Sequence, residues 1–160
     1  MTHPVRYLRP NEFKYPDTLD RLYASGFENL QLEVGFGDGR FWAQQHSLEE
    51  NANYLGVEVS GVSVQKALAR YRACKVQHAI VARTQAEFVI RNVLSENSLS
   101  RVYVNFPDPW PKARHEDARF LRPGVFELLS TRLDDNAEVW LTTDHPGYYE
   151  FALMSAASTG

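Results

Sequence analysis

The chain has 160 residues, with 44% hydrophobic and 23% charged side chains and a formal net charge of −3 at pH 7, the proportions of one soluble globular domain. No stretch approaches the roughly 18 consecutive apolar residues of a membrane-spanning helix, and no signal-peptide core opens the chain, so a cytoplasmic protein with no membrane partner is expected. Cys74 is the only cysteine, which excludes an intrachain disulfide and the cysteine sets of structural zinc, and the histidines form no metal-ligand constellation.

Residues 1–29 have no sustained hydrophobic period and read as an arm with short helical pieces; the regular domain is expected over 30–160. The spacing predicts a first strand at Leu30–Val34, then a glycine turn and a helix from Arg40 to His46. A second strand follows at Asn53–Glu58. Val64, Ala67, Leu68 and Tyr71 recur at helical spacing within a helix from Val62 to Cys74, where Cys74 reads as a buried small hydrophobe. A third strand over Gln77–Ala82, a helix over Gln85–Leu94 and a fourth strand over Arg101–Asn105 come next. Pro123 suits the first turn of a helix running to Arg132, since its missing N–H is not needed there. A fifth strand over Ala137–Thr142 and a helix over Tyr148–Ala156 complete the pattern. Alternating strands and helices predict an α/β fold, with about five parallel strands joined by right-handed crossovers and helices on both faces.

Two segments carry chemistry. In Glu33-Val34-Gly35-Phe36-Gly37-Asp38-Gly39, Gly35, Gly37 and Gly39 let backbone approach a ligand closely at a helix N-terminus. The second strand ends in Glu58, placed to accept ribose hydroxyls. The spacing is G-x-G-x-G rather than the dinucleotide G-x-G-x-x-G, and Glu33 would repel a pyrophosphate while attracting a cation or an amino group. S-adenosyl-L-methionine, with a sulfonium, an ammonium and no phosphate, is favoured over NAD.

The second segment is Asn105-Phe106-Pro107-Asp108-Pro109-Trp110-Pro111-Lys112-Ala113-Arg114. Its three prolines deny the chain helix and sheet bonding, so it leaves the fourth strand as a stiff loop at the carboxyl end of the sheet, where open α/β sheets bind ligands. Lys112 and Arg114 suit phosphates, and Trp110 suits either stacking on an exposed base or capping the core. The net acidity argues against a uniformly basic nucleic-acid surface but permits a local one. One concentration of cations is Arg6, Arg9, Lys14 and Arg21; the other is Lys112, Arg114, Arg119 and Arg122, diluted by Glu116 and Asp117. Either reads as a solvated face or a phosphate site.

Together these two motifs, the second continuing to His115, resemble the tRNA (guanine-N7-)-methyltransferase family of class I S-adenosylmethionine-dependent enzymes, from Leu30 to the end of the chain. The resemblance implies strand order 3-2-1-4-5 and transfer of a methyl group to N7 of a guanine in the variable loop of tRNA. It further implies cofactor binding by Glu33 and Glu58, catalysis and cofactor contact by Asp108, and substrate binding by Lys112 and Asp144. Gln85 stands where the family has an acidic cofactor-binding residue, and a glutamine still accepts from an adenine amino group. The family pattern continues with two further strands and a T-x-F-E substrate motif, while this sequence stops one helix beyond Asp144. A truncated form with an open edge at Glu138–Thr142 is therefore expected, with dimerisation through that edge, a disordered or deleted tail, or low solubility, and with weak or absent methylation.

Simpler roles compete. Glu33 and Glu58 can be strand-end charges, Asp108 a turn residue and Asp144 the N-cap of the last helix. At the level of function, the alternatives are an amino-group nucleic-acid methyltransferase, whose loop pattern the inserted Phe106 fits poorly, and a catalytically silent cofactor- or tRNA-binding module.

Overall fold

The computed structural model describes residues 4–12, 29–49 and 52–159. Lys14 and Arg21 of the first cation group, His3 and most of the expected arm lie outside the described residues. Six strands form one parallel sheet: β1 (Arg6–Leu8), β2 (Leu30–Val34), β3 (Asn53–Glu58), β4 (Ala79–Arg83), β5 (Leu99–Asn105) and β6 (Leu133–Thr142), in the order β1-β4-β3-β2-β5-β6. The five expected strands keep the expected order. The sixth is a correction: β1 falls within the segment read as an arm, and its three residues pair with Ile80, Val81 and Ala82.

Among the described residues five α-helices flank the sheet: α1 (Arg40–Gln45), α2 (Gly61–Ala73), α3 (Ala86–Asn92), α4 (Pro123–Ser130) and α5 (Pro146–Ala157). Strand alternation divides the core between the two faces. Leu55 and Val57 point into a cluster with Val89, Ile90, Val125, Leu129 and Tyr148 from α3, α4 and α5. Tyr54 points the other way, into a cluster with Trp42 of α1 and Val64, Ala67, Leu68 and Tyr71 of α2. Those four α2 residues are the stripe that the period predicts. Ser60 caps the helix by accepting from Ser63 N at 3.3 Å, satisfying one donor that the first turn leaves unpaired. Cys74 lies just past the helix end and is exposed, not buried as expected. The third strand also starts later than expected, because His78 adopts φ 52° and breaks the extended run.

Among the described residues β6 is the other edge. Val139 and Leu141 pack against the core, and Trp140 lies 5.0 Å from the Arg101 guanidinium while its Nε1 donates to Glu138 at 3.0 Å. Among the described residues β6 pairs with β5 alone and Trp140 is half exposed, so the edge expected at Glu138–Thr142 is open on its outer side.

Candidate active site

The site is built at the carboxyl ends of β2, β3, β4 and β5. Two clefts open there and share Gly35. The first, of about 460 Å³, is bordered by Gly35, Glu58, Gln85, Asp108 and Trp110; the second, of about 630 Å³, by Glu33, Gly37, Phe41, Asn105 and Phe106.

The glycine turn is held at both ends. Gly35 N donates to Val57 O at 2.8 Å, and Gly39 N to Phe36 O at 3.0 Å. Gly35, Gly37 and Gly39 all have positive φ, between 57° and 75°, a region that favours glycine. A side chain on Gly35 or Gly37 would meet open space, which leaves room for a ligand. One on Gly39 would come within 2.7 Å of Ala67 Cβ, so Gly39 seats the turn directly on α2. Asp38 ties the same contact from outside, pairing with Arg70 at 2.9 Å.

Glu58 is fixed by backbone donors. Its Oε1 accepts from Val59 N at 2.8 Å and Ser60 N at 2.9 Å, and its Oε2 from Gly37 N at 3.0 Å. A carboxylate has about four acceptor positions, so Glu58 retains capacity for a ribose hydroxyl without needing to reorient.

Glu33 is almost completely buried, with 1% exposure. Tyr54 OH donates to its Oε2 at 2.6 Å and Asn105 Nδ2 to its Oε1 at 3.2 Å. Tyr54 reaches it across Gly56, the register partner of Glu33, where a Cβ would lie 2.6 Å from the Tyr54 hydroxyl. Burial pushes the Glu33 carboxyl up to about 7, against the opposing effect of the hydrogen bonds from Tyr54 and Asn105. Glu33 borders the second cleft; Tyr54 and Asn105 are brought to it by cross-strand register, which one strand's sequence does not display.

The proline loop leaves β5 as expected. Phe106 N makes the last ladder bond, to Thr142 O at 2.7 Å, and Pro107, Asp108 and Trp110 then border the first cleft. Phe106 and Trp110 both have positive φ, 49° and 42°, uncommon for bulky residues and found at functional sites that hold backbone strain. Asp108, Lys112 and Asp144 are exposed, and their side chains make no hydrogen bond or ion pair with other described residues. Trp110 is 41% exposed and edge-on to His115, so it does not cap the core. A short 3-10 helix, Ala113–Ala118, follows the prolines and was not expected. Arg114 Nε donates to His115 Nε2 at 3.2 Å.

Gln85 borders the first cleft at the start of α3. Two other readings change. Asp144 does not cap α5: His145 does, its Nδ1 accepting from Tyr148 N at 3.1 Å. Arg119 and Arg122 leave the solvated cation group, since Arg119 is buried and Arg122 pairs with Glu87 at 2.8 Å.

Residues 28–159 match a family model described as "Putative methyltransferase". The chain is 44% identical over 154 residues to the tRNA (guanine-N(7)-)-methyltransferase of Deinococcus radiodurans, covering 95% of this chain and 48% of that protein. It is 47% identical over 131 residues to the enzyme of the same name from Thermus thermophilus, covering 82% and 42%. The chain therefore spans about half the length of these curated relatives. Its fold is similar to that of Haemonchus contortus phosphoethanolamine N-methyltransferase 2, solved in complex with S-adenosyl-L-methionine, at TM-score 0.54 and 17% identity over 89% of this chain and 35% of that one. On the family match over nearly the whole described sheet, the chain belongs to this methyltransferase family.

Proposed function

We propose that the protein is an S-adenosylmethionine-dependent tRNA (guanine-N7-)-methyltransferase, acting in the cytoplasm. The observation that carries this reading is the placement of Asp108, on a proline-stiffened loop, in the same cleft as Glu58 and the glycine turn. That cleft is acidic: Glu58, Glu87, Asp108 and Asp117 border it against one cation, Arg122. Such a lining disfavours a pyrophosphate and suits a cationic ligand. The open space beside Gly35 and Gly37 fits the same ligand.

S-adenosylmethionine would supply an electrophilic methyl group on sulfur. Glu58 would hold the ribose, Gln85 would accept from the adenine amino group, and Gly35, Gly37 and Gly39 would let backbone approach it. Glu33 would favour its cationic end in the second cleft. Guanine N7 carries an in-plane lone pair and needs no general base. With the methyl group carried to N7 and the cofactor leaving as its demethylated thioether, the purine would gain positive charge, which the Asp108 carboxylate would balance. Lys112 and Arg114 would take tRNA phosphates, Asp144 would contact the substrate, and Trp110 would stack on an unpaired base.

Two copies pairing through the β6 edge would give a homodimer, which light scattering on the purified protein reads directly. Methyl-labelled cofactor incubated with tRNA tests the function: label should enter tRNA and fall at least about tenfold with Asp108→Asn, a lower bound on the loss expected when a charge-stabilising group is removed. Equal incorporation by that variant contradicts the role of Asp108.

A further inference from the structure

Asp108 sits on a segment without helix or sheet bonding, so its position depends on what grips the loop from behind. Arg119 does so. It is 6% exposed and does not border the cleft, although its neighbours Ala118 and Phe120 do. Its Nε donates to Pro109 O at 3.0 Å and its Nη2 to Trp110 O at 3.1 Å. These carbonyls are consecutive and follow Asp108 directly, and the second belongs to a residue held at φ 42°. A planar guanidinium fork matches two adjacent acceptors in a way that a lysine ammonium does not. The buried charge is balanced by Glu116 at 3.6 Å and by the face of Phe151 on α5, 4.5 Å away. The same helix grips the following segment, where Leu121 N donates to Tyr148 OH at 3.2 Å.

We propose that Arg119 is the positioning residue of the Asp108 loop, fastening the Pro109 and Trp110 carbonyls to α5 so that the carboxylate stays aimed into the cleft. Its consequence for turnover rests on the methyltransferase reading above; its grip on the loop does not. Because it acts through the backbone, its loss should lower the rate of the chemical step far more than cofactor affinity.

The test compares Arg119→Lys and Arg119→Met with the wild type, by trypsin cleavage after Lys112 and Arg114 and by methyl transfer to tRNA. Both variants should be cut about tenfold faster in the loop. They should lose about tenfold or more in kcat, with cofactor affinity and the KM for tRNA within about threefold of wild type, as expected for a misplaced reacting group. Wild-type cleavage rates, or an unchanged kcat beside a faster-cut loop, overturn the proposal. If Arg119→Met does not fold, Arg119→Lys decides alone, since it keeps the charge beside Glu116. If the wild type transfers no methyl group, the functional reading fails, and the cleavage comparison still decides whether Arg119 holds the loop.

Discussion

The Tyr54 hydroxyl donates to Glu33 Oε2 at 2.6 Å, and neither residue is more than 1% exposed. The contact places a carboxyl that burial has pushed up to about 7 on the wall of the second cleft. Between the ordinary carboxylate range and about 7, folded Glu33 keeps its proton while the unfolded chain has lost it. Stability from this group is therefore fully present below the ordinary value and is lost as pH rises to about 7.

Glu33→Gln should remove that pH dependence. The thermal midpoint of the wild type minus that of the variant should fall as pH rises from about 4.5 to about 7 and level off above it. A difference that stays constant across this window contradicts a buried, proton-holding Glu33.

Glu58→Ala should weaken S-adenosylmethionine binding by about 1.5–3 kcal/mol, the range for hydrogen bonds to a charged group. Because Gly37, Val59 and Ser60 donate to this carboxylate, the substitution should also lower the thermal midpoint, and Glu58→Gln should recover part of it. Unchanged affinity by calorimetry would remove Glu58 from the cofactor site.

Gly39→Ala should destabilise the fold by about 2–4 kcal/mol, combining the cost of a left-handed alanine with overpacking against α2. Gly35→Ala meets open space and should be milder, about 1–2 kcal/mol from backbone conformation alone. Denaturant unfolding distinguishes them. Equal losses would show that the contact with Ala67 and Tyr71 does not set the turn.

Lys112→Ala should leave the fold intact, because its exposed side chain has no partner among the described residues. It should weaken tRNA binding and lower the salt dependence of that binding by about one phosphate contact. A slope identical to wild type would place Lys112 off the RNA path.

The five main strands were legible because each β–α alternation carries its own hydrophobic period, whereas their order was implied by the family resemblance. β1 was not, since three residues are too few to display a period. The glycine turn, Glu58 and the proline loop were legible as local runs. Tyr54 and Asn105 around Glu33 depend on register across three strands, and no single run displays that. Arg119 and Lys112 look alike in a count of cations, yet one is buried under two carbonyls and the other faces water. Asp144 looked like a cap because aspartate suits that position; His145, one residue later, holds the first turn instead.

Asp108 is proposed to face a guanine whose N7 takes the methyl group. Nucleoside mass spectrometry of tRNA incubated with the protein and S-adenosylmethionine tests it most directly. The expected product is 7-methylguanosine, with its yield falling at least about tenfold for Asp108→Asn. A methyl group found on an exocyclic amine instead, or 7-methylguanosine formed equally well by Asp108→Asn, would contradict it.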